Sequence, residues 1–240
     1  MAFKEYALDD KTTITVYKRA GNRSLRLSVT STGKIRVTIP TWTPYQAGLQ
    51  FAKNRLDWIH RQQKSTQLLQ PGQAVGKAHH LRFSLQASSS RVSSRVMAGE
   101  IIIGYPPQLT PNDKQVQLTA RSACIRALRR QADQLLPQRL KILAELHGFI
   151  YSSVASKQLK SRWGSCDQSQ NIVFNLFLMQ LPWDCIDYVI LHELTHTKVL
   201  HHGPEFWQAF ETVLPSAKKM RKQMHQYQPV LLSSEPALEK

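Results

Sequence analysis

The stretch LHELTHTKVLHHGPEFW, residues 191–207, holds four histidines and two glutamates. His192 and His196 are four residues apart, a spacing that puts both imidazoles on one face of a helix. Two imidazole nitrogens in this arrangement can bind one Zn²⁺ ion at about 2.0–2.1 Å. Glu193 lies beside the first histidine, where it can accept a proton from metal-bound water and later donate it. The stretch therefore predicts an HExxH helix with Glu193 as the catalytic residue.

The segment before this pair predicts a buried helix. Leu181-Pro182 marks its start, and Ile186, Val189 and Leu194 supply an apolar face. An apolar helix that also carries His192, Glu193 and His196 needs a reason to bury ionisable groups, and a bound metal provides one. The alternative is a pair of ordinary histidines with an incidental glutamate.

A catalytic zinc needs a third protein ligand, and His202 is predicted to supply it. A continuous helix would put His202 about 240° round from His196, so the helix must end between them. Gly203-Pro204 provides a break directly afterwards. The spacing HExxHxxxxxH is that of metzincins, in which a glycine permits the turn.

No glycine lies between His196 and His202, so His201 is expected to adopt an unusual backbone conformation. His201 is also the main competitor for the role of third ligand. Glu205 and Glu211 are weaker competitors.

The rest of the chain predicts an α+β protein. TTITVY, SLRLSV and KIRVTIP are short alternating runs typical of strands, and a helix is expected over about 43–63. We assign 1–112 to an N-terminal β-rich region with this helix and 113–229 to a catalytic region, with 230–240 a disordered tail. A long helix is predicted from Asp113 to about His147, interrupted at Pro137.

The net charge of the chain is +16, and it is unevenly distributed. Residues 182–214, which contain the histidines, carry one basic and five acidic side chains. A basic exterior can attract nucleic acid or a phosphorylated ligand, so both are alternative partners to a peptide. Three cysteines without CxxC pairing, no secretory signal and no membrane-spanning apolar stretch predict a cytoplasmic protein.

Three segments together resemble the YgjP-like family of zinc-dependent hydrolases, which are distant relatives of SprT-type proteases. These segments are KSRWGSC, NIVFNLFLMQLP and HELTHTKVLHHGPEFW. The N-terminal SLRLSVTSTGKIRVTIP is similar too, so the resemblance extends over roughly residues 20–227. It implies a zincin-like catalytic region over 113–229, with an HExxH helix beside a small sheet, and metallopeptidase activity. The resemblance also implies that His192, His196 and His202 bind one zinc ion per chain and that Glu193 is catalytic.

Several further residues are candidates for binding substrate or supporting the site. NIVFNLFL is the candidate edge strand for an extended peptide. Residues considered for substrate binding, support or stabilisation of the transition state are Arg162, Trp163, Asn175, Tyr188, His201, His225 and Tyr227.

Three functions are compatible with these observations. The first is a zinc-dependent hydrolase that cleaves peptides. The second keeps the metal but hydrolyses a nucleotide phosphoanhydride, which the positive charge would suit. The third is a non-catalytic, nucleic-acid-associated protein with a structural metal.

Overall fold

The computed structural model describes residues 3–9, 12–29, 34–64 and 68–231 of the chain. The chain divides into two compact units, Met1–Gln67 and Leu68–Lys240, here called unit 1 and unit 2. Residues 68–112, which the sequence assigned to the N-terminal region, are therefore part of unit 2.

Unit 1 contains a mixed sheet whose described strands follow the order β1-β2-β4-β3. The strands are β1 (Phe3–Asp9), β2 (Thr12–Lys18), β3 (Arg26–Val29) and β4 (Ile35–Ile39). The central pair β2 and β4 is parallel, and β1 and β3 pair with it antiparallel. Alternation along the central strands buries Ile14, Val16 and Val37 completely.

Two helices follow these strands, α1 (Tyr45–Lys53) and α2 (Leu56–Lys64), so the prediction of one helix over 43–63 is wrong. The break lies at Asn54 and Arg55. The Arg55 amide donates to the Ala52 carbonyl at 2.9 Å, a bond to the third preceding residue that tightens the turn. The Asn54 side chain accepts a bond from Gln50 at 2.9 Å, and asparagine is a weak helix former.

Unit 2 begins with a sheet of the same strand order and orientation, β5-β6-β8-β7, with a parallel central pair. Its strands are β5 (Ala74–Val75), β6 (His79–Leu85), β7 (Ser93–Val96) and β8 (Glu100–Tyr105). The long helix α3 (Lys114–His147) packs against this sheet. Small buried residues such as Ala120, Ala123 and Ala127 allow close packing along α3.

Helix α3 continues through Pro137, so the predicted interruption is wrong. Leu136 and Leu140, on either side of the proline, are fully buried in the core, and this packing holds the helix together. The helix ends at Gly148, whose φ of 63° is a left-handed conformation that glycine adopts readily.

The elements around the candidate site come last in the chain. They are β9 (Ser153–Lys157), β10 (Gly164–Cys166), β11 (Asn171–Asn175), a 3-10 helix (Leu176–Gln180), α4 (Trp183–His196), α5 (Pro204–Val213) and α6 (Ala217–Met224). The three strands form a sheet in the order β10-β11-β9. Helix α4 packs against α3, β10, α5 and α6. The α+β class is confirmed, with the HExxH helix beside a small sheet.

The end of the chain is partly described. Leu231 is buried, and the Val230 carbonyl accepts a bond from the Gln180 side chain at 3.0 Å. Residues 232–240 of the predicted tail lie outside the described residues. Within the described part of the chain, no helix combines the length and apolar content that crossing a bilayer requires.

Candidate metal centre

Helix α4 carries His192, Glu193 and His196 on its last turns. A bidentate ion pair attaches the first half of the helix to α3. Arg139 Nε lies 2.7 Å from Asp187 Oδ1, and Arg139 Nη2 lies 2.5 Å from Asp187 Oδ2. Bidentate pairing of this kind restrains orientation as well as distance. The helix that presents the candidate ligands is thereby fixed to the core of unit 2.

The turn after α4 brings His202 back to the helix. The Val199 amide donates to the Thr195 carbonyl, and the Gly203 amide donates to the His201 carbonyl at 2.8 Å. Among the non-glycine residues that the structure describes, only Gln170 has a positive φ. The prediction of an unusual backbone conformation at His201 is therefore wrong. Hydrogen bonds spread over several residues reverse the chain without a left-handed residue.

The three histidine side chains converge on one point. His202 Nε2 lies 2.9 Å from His192 Nε2 and 3.1 Å from His196 Nε2. One ligand nitrogen from each ring lies within 4.8 Å of the others. Nitrogens around a tetrahedral zinc with 2.0–2.1 Å bonds are separated by about 3.3 Å. The histidine cluster therefore fits one small metal ion.

The protonation states of the three histidines also favour the binding of a cation. Burial is the main cause that lowers the pKa of each of the three imidazoles, and it lowers that of His192 to about 3. The Nδ1 of His196 lies 3.0 Å from the Val199 carbonyl. Because a carbonyl only accepts, Nδ1 carries the proton and Nε2 presents its lone pair to the cluster. Neutral imidazole is the form that binds metals.

The buried carboxyl of Glu193 lies beside the cluster and is 5% exposed. Burial raises its pKa to about 8, and the positive charge of Arg162 opposes this shift. The carboxyl packs against Gly164 of β10 so closely that a Cβ on Gly164 would lie 2.6 Å from Glu193 Oε1. Only glycine leaves room for the glutamate in this position.

Two cavities meet at the histidine cluster. The first, of about 440 Å³, contains Glu193, Arg162 and the strand β10; we call it the Glu193 lobe. The second, of about 580 Å³, contains Arg221 and Trp207; we call it the Arg221 lobe. His192, His202 and several neighbours line both lobes. The arrangement is a cleft with a candidate metal site at its middle.

The sequence of the chain matches the profile of a YgjP-like metallopeptidase domain over residues 23–227. The chain belongs to the YgjP-like family. The resemblance predicted from the sequence motifs is thereby confirmed. The structure is also similar to the crystal structure of the metallopeptidase zymogen of Pyrococcus abyssi abylysin, with 22% identity and a TM-score of 0.35. That similarity covers 38% of this chain and 94% of the other. No curated protein matches this chain.

Some of the remaining candidate residues of this YgjP-like chain line the cleft, and others lie outside it. Arg162 and Trp163 line the cleft, as does Tyr188, which stacks on His192 with ring centroids 6.1 Å apart. His225 and Tyr227 line the Arg221 lobe. His201 lies outside the cluster, in a surface depression that it shares with Glu205. Glu211 forms an ion pair with Lys218 at 3.3 Å.

Asn175 does not line either lobe and instead supports the loop before β10. Its buried amide donates to the carbonyls of Leu159 and Arg162, both at 2.9 Å. Its side-chain oxygen accepts the Phe177 amide at 3.2 Å. Asn175 therefore holds the backbone from which Arg162 extends.

The prediction that NIVFNLFL forms the edge strand is wrong. Its first half is β11, which lies at the centre of the sheet between β10 and β9, and its second half is the 3-10 helix. The edge strand beside α4 is β10, which comes from the WGSC segment. Strand β11 is central because it also pairs with β9, and strand composition does not reveal how many neighbours a strand has.

Sequence reasoning missed Gly164 and Arg221. Gly164 lies within the KSRWGSC motif, and the presence of a glycine there was the sequence signal for a close contact at this position. Arg221 lies in a run of four basic residues over 218–222. Its intervals of four residues from Ala217 and three residues from Met224 predict that Arg221 lies on the same face of α6 as these two apolar residues.

Proposed function

We propose that this YgjP-like chain is a zinc-dependent peptidase in which His192, His196 and His202 bind the metal and Glu193 transfers protons. The observation that carries this proposal is the convergence of three imidazole nitrogens next to a buried carboxyl in a cleft. The match to a metallopeptidase domain over residues 23–227 supports a peptide as the substrate.

A zinc ion at the cluster would supply Lewis acidity toward the scissile carbonyl and lower the pKa of the attacking water. Glu193 then accepts the proton of the nucleophile and delivers it to the leaving amine. In the metal-free protein the pKa of Glu193 is about 8, and a nearby cation favours the carboxylate that a general base requires.

The strand β10 is the proposed docking edge for an extended peptide. It pairs with β11 on one side only, within the described residues. A peptide added to its free edge would pair through backbone hydrogen bonds. Gly164, which belongs to this strand, contacts Glu193, so the peptide would lie next to the proposed base.

Tyr188 is the proposed donor to the oxygen that becomes negative during the reaction. Burial raises the pKa of its phenol, and Arg221 opposes this shift, so the hydroxyl keeps its proton at neutral pH. Its ring lines both lobes beside His192. A preorganised donor of this kind lowers the barrier to attack on a carbonyl.

The two other functions have less support. A structural zinc usually has four protein ligands, whereas the group found in the described residues has three. A nucleotide substrate is supported only by positive charge, that of the whole chain and that of Arg162 and Arg221 in the cleft, and the family match does not indicate a nucleic-acid partner.

The test combines metal analysis with hydrolysis by three proteins: wild type, Glu193→Gln and His192→Ala. We expect about one zinc per chain in wild type and Glu193→Gln, and loss of zinc in His192→Ala. Peptide hydrolysis, measured with a mixture of unstructured peptides and mass spectrometry, should fall about 100-fold to 10,000-fold in Glu193→Gln.

A panel of nucleoside triphosphates is assayed in parallel. Release of phosphate or pyrophosphate that depends on Glu193, without any peptide cleavage, would replace the peptidase assignment with the phosphohydrolase. Peptide cleavage that survives in Glu193→Gln would show that the proposed base is wrong.

A further inference from the structure

Arg221 occupies a distinctive position in the second half of the cleft. It extends from α6 and lines the Arg221 lobe together with His192 and His202. Its guanidinium lies over the ring of Trp207, 4.6 Å from the ring centroid. The Trp207 ring in turn lies 6.0 Å from the His202 ring. A stacked guanidinium loses less freedom on binding a ligand than a free side chain does.

The guanidinium has no acidic partner in the described part of the chain. No carboxylate of the described residues lies within ion-pair distance of Arg221. By contrast, Lys218 on the same helix is neutralised by Glu211. Arg221 is exposed, and its hydrogen-bond donors are available to a ligand.

The lining of the cleft is positively charged overall. Arg162 lies in the Glu193 lobe and Arg221 in the other, and Glu193 is the only carboxylate among the residues that line either lobe. The charge of Arg221 lies close to the centre of the site, since Arg221 lines the same lobe as His192 and His202. A negatively charged group of a bound ligand would be attracted to this side of the cluster.

We propose that Arg221 is a specificity residue that binds a carboxylate of the peptide substrate in the Arg221 lobe. This inference rests on the proposed peptidase function. An extended peptide advances about 3.3–3.6 Å per residue, so the carboxylate belongs to a residue within a few positions of the scissile bond. The planar guanidinium can bind both carboxylate oxygens at once, and Trp207 holds it in place.

Two sources can supply this carboxylate, an acidic side chain and the free C-terminus of the peptide. The test therefore uses two matched sets of quenched fluorescent peptides. In the first set the C-terminus is amidated, and Glu or Gln is placed at each position near the cleaved bond. In the second set a neutral peptide carries either a free or an amidated C-terminus.

The measured quantity is the ratio of kcat/KM for the charged over the neutral member of each pair. In wild type we expect a ratio of about 10 or more in one set, which identifies the source. In Arg221→Gln the ratio should fall to near 1, and Arg221→Lys should give an intermediate value because the ammonium lacks the planar pair of donors. Lys222→Gln is the matched control, since it removes an exposed charge from α6 outside both lobes.

Binding of the same peptides to zinc-loaded Glu193→Gln, followed by fluorescence anisotropy, measures the preference without turnover. Circular dichroism and zinc content verify that each variant is folded. Equal kcat/KM and equal binding of charged and neutral peptides in wild type would overturn the role of Arg221, as would a preference that persists in Arg221→Gln. If neutral peptides are cleaved with no such preference, this inference fails while the peptidase function stands. If no peptide is bound or cleaved, both this inference and the proposed peptidase function fail.

Discussion

The side chain of Glu193 occupies the space that a Cβ on Gly164 would fill. Such an atom would lie 2.6 Å from Glu193 Oε1 and 2.9 Å from the carboxyl carbon. A helix residue and an edge-strand residue are thus in contact at the point where the proposed base meets the proposed peptide-binding strand. Two separate segments of the sequence, HELTH and WGSC, depend on each other through this contact.

Replacement of Gly164 by alanine should therefore displace the Glu193 carboxyl while leaving the histidine cluster intact. We expect kcat for a peptide substrate to fall about 100-fold, because small displacements of a catalytic group are costly. Zinc content should remain at the wild-type level. Gly203→Ala is the control, since its Cβ would meet no atom within 4 Å. Wild-type kcat in Gly164→Ala would mean that the contact with Glu193 has no catalytic importance.

The raised pKa of Glu193 predicts how stability depends on pH. Its ordinary value is 4.5, and burial raises it to about 8 in the folded protein. The folded state therefore binds this proton more tightly. The resulting stabilisation is complete below pH 4.5 and is lost as pH rises through 8.

In metal-free protein, Glu193→Gln should become more stable relative to wild type as pH rises across this window. The slope is at most about 1.4 kcal/mol per pH unit. Urea unfolding at several pH values, with a zinc chelator present, measures the difference. His192, with a pKa lowered to about 3, contributes in the opposite direction, because its stabilisation is lost as pH falls. His192 is present in both wild type and Glu193→Gln, so its contribution cancels from the difference in stability. A difference that does not vary with pH would contradict the buried, protonated state of Glu193.

The positions of His201 and His202 predict different effects on metal binding. Only His202 belongs to the cluster, and His201 lies in a separate depression. We expect His202→Ala to weaken zinc binding by more than about 100-fold, which exceeds the usual effect of residues that merely orient ligands. His201→Ala should bind zinc as wild type does. Competition with a chromophoric chelator measures both affinities, and the reverse pattern would make His201 the third ligand.

Asn175 predicts an effect on stability. Asn175→Asp keeps the shape but removes the two donors to the Leu159 and Arg162 carbonyls. We expect the free energy of unfolding to fall by about 2 kcal/mol or more, since buried acceptors lose their partners and a charge is buried. Gln168→Glu, an equivalent change at an exposed position, should leave stability nearly unaltered. Equal unfolding midpoints for Asn175→Asp and wild type would refute the supporting role.

Local spacing was enough to predict much of this molecule. The interval of four between His192 and His196 predicts a shared helix face, because helix geometry is the same in every protein. The alternation in TTITVY and KIRVTIP predicted strands for the same reason. The α+β class and the helix α4 after Pro182 followed from such short-range patterns, and the family followed from the resemblance of the quoted motifs to the YgjP-like family.

Features that depend on tertiary packing were harder to predict from the sequence. Pro137 lowers helix propensity, yet buried leucines on both sides keep α3 continuous. The turn to His202 uses hydrogen bonds spread over several residues, so no single residue needed a left-handed conformation. In both places packing and tertiary contacts outweighed a local preference.

The sequence by itself determined the candidate metal ligands His192 and His196 and the candidate base Glu193 through the HExxH spacing, and it narrowed the third ligand to His202 or its competitors, chiefly His201. Only the tertiary structure decided what surrounds them. The position of β10 at the sheet edge, the contact of Gly164 with Glu193 and the position of Arg221 over Trp207 each depend on how separate elements of the fold pack together. Such pairings depend on the packing of whole elements, which the repeat of a helix or strand does not encode.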